Sequence, residues 1–125
     1  MTEKELKDRT KKLAISIIDF VEDLPSTRTA DVLGRQLLRS GTSVGANYRA
    51  ACRGRSDAEM SAKLGIVEEE ADESQYWLEL LEEKGLGDRK VGQEIYDELD
   101  EVIAIMVSSR RTLRDRITRG GNTQR

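Results

Sequence analysis

Residues Arg39-Ser40-Gly41-Thr42-Ser43-Val44-Gly45-Ala46-Asn47-Tyr48-Arg49 combine helical apolar spacing with residues that helices usually avoid. On a helix, Ser40, Ser43, Asn47, Ala50 and Gly54 recur at intervals of 3, 4, 3 and 4, a stripe of small or polar residues beside the apolar one. Gly34, Gly41 and Gly45 fall inside the same segment. Each costs about 1 kcal/mol relative to Ala in an exposed helix, so three of them require a reason, and close approach of a neighbouring backbone supplies one. A Gly- and Ser-rich stretch also suggests a phosphate cradle. This one lacks the Gly-Lys-Ser/Thr ending and a preceding strand, which leaves a packing device. Asn47, if buried, needs partners, and the run Glu68-Glu69-Glu70 on the following helix is the expected acceptor. Ser43, Asn47 and Glu70 are therefore expected to form a structural polar site.

Outward from this stretch the spacing predicts four helices. Leu6, Thr10, Leu13, Ile17, Phe20 and Leu24 make a bundle seam that Pro25 stops, with Ser26 or Thr27 free to cap the next helix. Ala30, Leu33, Leu37, Val44, Tyr48 and Ala51 describe a second helix of about seven turns that ends near Gly54. Ser56-Asp57-Ala58-Glu59 has the capping-box pattern. It opens a third helix along Met60, Leu64, Val67, Ala71, Ser74, Leu78 and Leu81, with Ile66, Trp77 and Leu80 on a flank. Lys84-Gly85 closes it, and Val91, Ile95, Leu99, Val102, Met106, Leu113 and Ile117 mark a fourth. Short loops between long helices imply an all-α, antiparallel up-down-up-down four-helix bundle. Residues 1–119 form its one domain and residues 120–125 a frayed tail.

Composition narrows the chemistry. The 125 residues include no His and one Cys, Cys52, so Ser-His-Asp and Cys-His catalytic groups, imidazole metal sites and intrachain disulfides are excluded. Catalytic residues and cofactors are accordingly not expected, and Cys52 is read as a buried, inert thiol. No apolar run approaches the roughly 20 residues of a membrane span, and the charged first turn is unlike a signal peptide. A soluble, cytoplasmic chain without membrane contact is the expectation.

The formal net charge of −3 excludes bulk attraction to polyanions, but it conceals sorting along the chain. Arg28 to Arg55 holds six Arg and one acid, whereas Asp57 to Glu83 holds ten acids and one base. From residue 110 to the C-terminus there are six Arg and one Asp. Arg110, Arg111, Arg114, Arg116 and Arg119 are the candidate nucleic-acid contacts, with stabilisation of a helix dipole as the alternative reading. Tyr76-Trp77 reads as core or subunit interface.

Arg39 to Tyr48, followed by Lys63-Leu64-Gly65-Ile66-Val67-Glu68-Glu69-Glu70-Ala71-Asp72-Glu73 and Tyr76-Trp77-Leu78-Glu79-Leu80-Leu81, resembles the bacterial 23S rRNA-intervening-sequence protein family. The resemblance spans roughly residues 5 to 117. It implies a small cytoplasmic bundle that assembles as a homopentamer, has no catalytic residues, and takes RNA or a nucleic-acid-binding protein as a partner. The resulting expectation is a non-catalytic, self-associating scaffold or adaptor associated with ribosomal RNA or another ribonucleoprotein.

One enzymatic alternative remains. Glu69, Glu70 and Glu73, followed after 20 residues by Glu94 and Asp97, match the EExxE…ExxD pattern of Mg-dependent all-α nucleoside triphosphate pyrophosphohydrolases. That chemistry requires the carboxylates to converge at one depth of the bundle. The competing reading is a solvated acidic face.

Overall fold

Thr2 opens the first helix by accepting the Glu5 amide at 3.1 Å, while the Glu5 carboxylate reaches back to the Thr2 amide at 3.4 Å. This reciprocal cap satisfies two amides that a helix start leaves without partners. Four helices follow: α1 (Glu3–Glu22), α2 (Arg28–Cys52), α3 (Asp57–Glu83) and α4 (Arg89–Gly120). The computed structural model describes residues 1–120, among which there is no strand. Among these residues no helix is long and apolar enough to cross a membrane.

Each boundary has a local cause. The residue before a proline is kept out of helical geometry, so α1 stops short of Leu24, its expected last seam position. Thr27 caps α2 by accepting from Ala30 N at 3.1 Å, and Ser56 caps α3 by accepting from Glu59 N at 3.1 Å. α3 ends in a Schellman motif: Leu86 N donates to Leu81 O and Gly85 N to Glu82 O, both at 2.9 Å. Gly85 sits at φ +68° and Gly87 at φ +91°, a backbone region that side chains disfavour. Asp88 then starts α4 by accepting from Val91 N at 2.9 Å. α4 continues through Gly120, one residue beyond the expected domain boundary at 119. The remainder of the expected tail, 121–125, lies outside the described residues.

The registers between helices establish the topology. Ile17 faces Gly41 and Thr10 faces Gly45; Ser40 meets Ser74 and Gly54 meets Met60; Gln75 meets Tyr96 and Asp57 meets Arg116. In every pair the numbers rise on one helix as they fall on the next, so the bundle is antiparallel. Helices pack in chain order, the backbones of the diagonal pairs α1–α3 and α2–α4 do not come close, and α1–α4 is the slightest approach.

The core is made of the predicted seams. Leu13, Ile17, Leu37, Val44, Leu64, Val67, Leu81, Leu99, Val102 and Met106 are buried together. Outside this shared core, Ile66 on the α3 flank is still exposed.

The α2 glycines face α1. A carbon added at Gly41 would lie 2.5 Å from Cδ1 of the fully buried Ile17, and one at Gly45 would lie 3.2 Å from Thr10 Oγ1 and 3.4 Å from the Thr10 backbone carbon. Gly92 in α4 is different, since an added carbon there meets only the Phe20 ring edge at an ordinary 3.4 Å. Gly41→Ala should therefore lower stability by about 1 kcal/mol despite better helix propensity, while Gly92→Ala should raise it by about 0.5 kcal/mol. Urea unfolding followed by circular dichroism checks both signs; equal gains at the two sites would contradict the close approach of α1 and α2.

Candidate functional site

Arg39 projects from α2 onto α3 and takes two carboxylates. Its guanidinium donates to Glu70 at 3.1 Å and also to Glu73. Charge-assisted bonds of this kind outcompete a neutral amide for the same oxygen, which explains what becomes of the expected Asn47–Glu70 contact. Asn47 Nδ2 instead donates to Ser43 O at 2.9 Å, one turn back on its own helix, and Ser43 Oγ donates to Arg39 O at 2.8 Å. The buried polar contact between α2 and α3 is made by Ser40 and Ser74, whose hydroxyl oxygens are 2.7 Å apart. Both serines lie on stripes visible in the sequence, but spacing within each helix carries no information about their pairing.

The acidic residues of the enzymatic alternative do not converge. Glu70 and Glu73 turn to the α2 side, where Arg39 binds both, and Glu69 is exposed. Glu94 lies on the opposite side of the bundle, in the groove between α4 and α1 with Arg9 and Leu13. Asp97 is exposed and accepts from Gln93 Nε2 at 2.9 Å. Burial of Ile95 and Leu99 fixes the rotation of α4 and so sends its acids outward. Among the described residues no group of three or more acidic or thiol side chains could hold a metal ion.

The five C-terminal arginines divide into two sets. The Arg116 guanidinium holds the fully buried Asp57 carboxylate through two bonds of 2.6 and 3.0 Å. Arg110 lies across Gly65, where an added carbon would be 3.2 Å from Cζ, and donates to Glu68 at 3.3 Å. Its Nε is buried without an acceptor among the described residues. Arg110 and Arg116 therefore hold α4 to α3. Arg111, Arg114 and Arg119 are exposed and make no ion pair among the described residues, so of the five they take no part in holding the helices together.

Other polar contacts connect α4 to its neighbours. Arg9 on α1 forms a two-bond pair with Glu98 at 2.6 and 2.8 Å and reaches Glu101 at 3.1 Å, and these acids raise its pKa above the usual arginine value. Gln75 Nε2 donates to Asp100 at 2.7 Å and to Tyr96 O at 3.2 Å. Tyr96 donates to Glu79 at 2.9 Å, and that bond pushes the phenol pKa upward. Cys52 is half-buried and packs against the core as a free thiol.

The chain matches the 23S rRNA-intervening sequence protein family over residues 2–108 and belongs to that family. Among solved structures it is similar to a protein with unknown function from the S23 ribosomal protein family of Bacteroides thetaiotaomicron. The two share 33% identity, the match covers 89% of this chain and 99% of that one, and the TM-score is 0.81. No curated protein matches it.

The division among the arginines has a measurable consequence. Arg116→Ala leaves a buried carboxylate without its partner and should cost about 2 kcal/mol, less than the roughly 3–5 kcal/mol of a fully buried pair because the arginine itself is half exposed. Arg114→Ala should change stability by less than about 0.5 kcal/mol. Chemical denaturation distinguishes them, and equal effects would show that the Asp57 pair does not hold the helices together.

Proposed function

We propose that this member of the 23S rRNA-intervening sequence protein family is a cytoplasmic, non-catalytic, self-associating helical scaffold that works with ribosomal RNA or another ribonucleoprotein. What carries the reading is the outer face of α3. Tyr76 is 52% exposed and Ile66 37%, the Tyr76 and Trp77 rings meet edge-on at 5.2 Å and 61°, and the Trp77 indole N–H is buried without an acceptor among the described residues. Packing of this face on a second copy would take its exposed apolar side chains, which lie beside the exposed Glu69 and Asp72, out of water. Self-association as a homopentamer is also what the family resemblance implies, and exposed Arg111, Arg114 and Arg119 support contact with RNA phosphates.

Sedimentation at micromolar concentration should give about 70 kDa, five times the 14.1 kDa chain. Ile66→Glu with Tyr76→Glu should yield a smaller species of unchanged helicity. A wild-type monomer would overturn the assembly reading. For the RNA reading, replacing Arg111, Arg114 and Arg119 with Glu should weaken retention of ribosomal RNA fragments about tenfold and flatten its salt dependence. Retention unchanged on both counts would defeat it.

A further inference from the structure

Three of the four seams between adjacent helices carry arginine–carboxylate pairs. α1–α4 has Arg9 with Glu98 and Glu101, α2–α3 has Arg39 with Glu70 and Glu73, and α3–α4 has Arg110 with Glu68 and Arg116 with Asp57. The α1–α2 seam differs. A groove of about 450 Å³ opens there, with Lys7 and Lys11 on one bank, Arg49 on the other, and Thr10 and Gly45 between them. None of the three cations is paired with a carboxylate among the described residues. Asp8, the one acid in the lining, is bonded to Lys4 at 3.0 Å, and that contact, with smaller help from the charges of Lys12 and Lys11, holds its pKa below the usual carboxylate value.

This arrangement follows from the sequence of α2, whose single acid, Asp31, lies far along the helix and pairs with Arg35 at 3.0 Å. α2 therefore brings no counter-charge to α1, and cations face one another across the groove. Like charges held this way repel unless an anion lies between them. Lys7 and Lys11 are one turn apart, about 6 Å along α1, so the positive charge is extended along the groove and suits a chain of anions better than a single ion. The lining contains no aromatic residue on which a base could stack.

We infer that the α1–α2 groove binds the phosphodiester backbone of a single RNA strand, with Lys7, Lys11 and Arg49 contacting phosphates and no base being read. The inference rests on the proposed RNA association but places a contact surface on another part of the molecule from Arg111, Arg114 and Arg119.

The test is fluorescence anisotropy of the full chain with a labelled single-stranded RNA oligonucleotide over a salt series. Three proteins are compared: wild type, K7E/K11E/R49E and R111E/R114E/R119E. Reversing the groove should weaken binding at least tenfold, and the slope of log affinity against log salt should become shallower by about 2, the value for three phosphate contacts on a single strand. Adenine-rich and uracil-rich strands should bind alike. If wild type binds and groove reversal changes neither affinity nor slope, the groove assignment fails while RNA association stands. If wild type binds no RNA, both fail. Lysine acetylation footprinting of the wild type avoids dependence on the folding of the variants. RNA should protect Lys7 and Lys11 but not Lys84 or Lys90, and equal labelling of all four would also overturn the assignment.

Discussion

The near contact of α1 and α2 sets the geometry on which the rest depends. Because Gly41 and Gly45 present no side chain, the Ile17 methyls and the Thr10 backbone come against α2 itself. That places Ile17, Leu37 and Val44 deep enough to meet the α3 and α4 seams in one shared core. Helix-propensity losses of about 1 kcal/mol per glycine are offset by packing that any larger residue would prevent. The same approach brings Lys7 and Lys11 alongside Arg49. A close seam between two cationic flanks is thus a by-product of how the core is filled.

α3 acts as the acidic centre of the bundle. Its carboxylates Glu70 and Glu73 take Arg39 from one neighbour, while Glu68 and Asp57 take Arg110 and Arg116 from the other. Part of the large negative charge of this segment is consumed internally, and part of the positive charge of α2 and α4 with it. What remains outside is unequally distributed, with cations that make no ion pair among the described residues along α1–α2 and at the C-terminal end of α4, and acids such as Glu69 and Asp72 on the outer face of α3. The exposed pairs contribute little stability individually, so their main effect is on which faces remain charged.

The fold was legible because a helix writes its buried face into the chain. Leu6, Thr10, Leu13, Ile17 and Phe20, and the α3 positions from Met60 to Leu81, are all buried as their spacing implies. The cap at Ser56 was legible for the same reason, since its partner lies three residues away, and the α2 cap was narrowed to Ser26 or Thr27, of which Thr27 makes it. Pairings between helices were not. Nothing in the local pattern separates Arg116, which holds Asp57, from Arg114, which faces solvent, and nothing directs Arg39 rather than Asn47 to Glu70. Those outcomes depend on the rotation of each helix and the relative shift of neighbours, both fixed by the whole core. The acidic EExxE…ExxD match failed on this point, because α4 rotates Glu94 to the far side of the bundle.

Packing only between successive helices also shapes how the chain reaches its native state. The close backbone approaches join a helix mostly to the one before or after it across a short turn, so little loop-closure entropy must be lost before contacts form. Chains with such local topology fold within about microseconds to milliseconds. On a ribosome, the α1–α2 hairpin is complete in sequence before α3 has been made, and its glycine seam can form at once. The thin α1–α4 contact, bridged by Arg9, joins the first helix to the last and cannot close until α4 has been made.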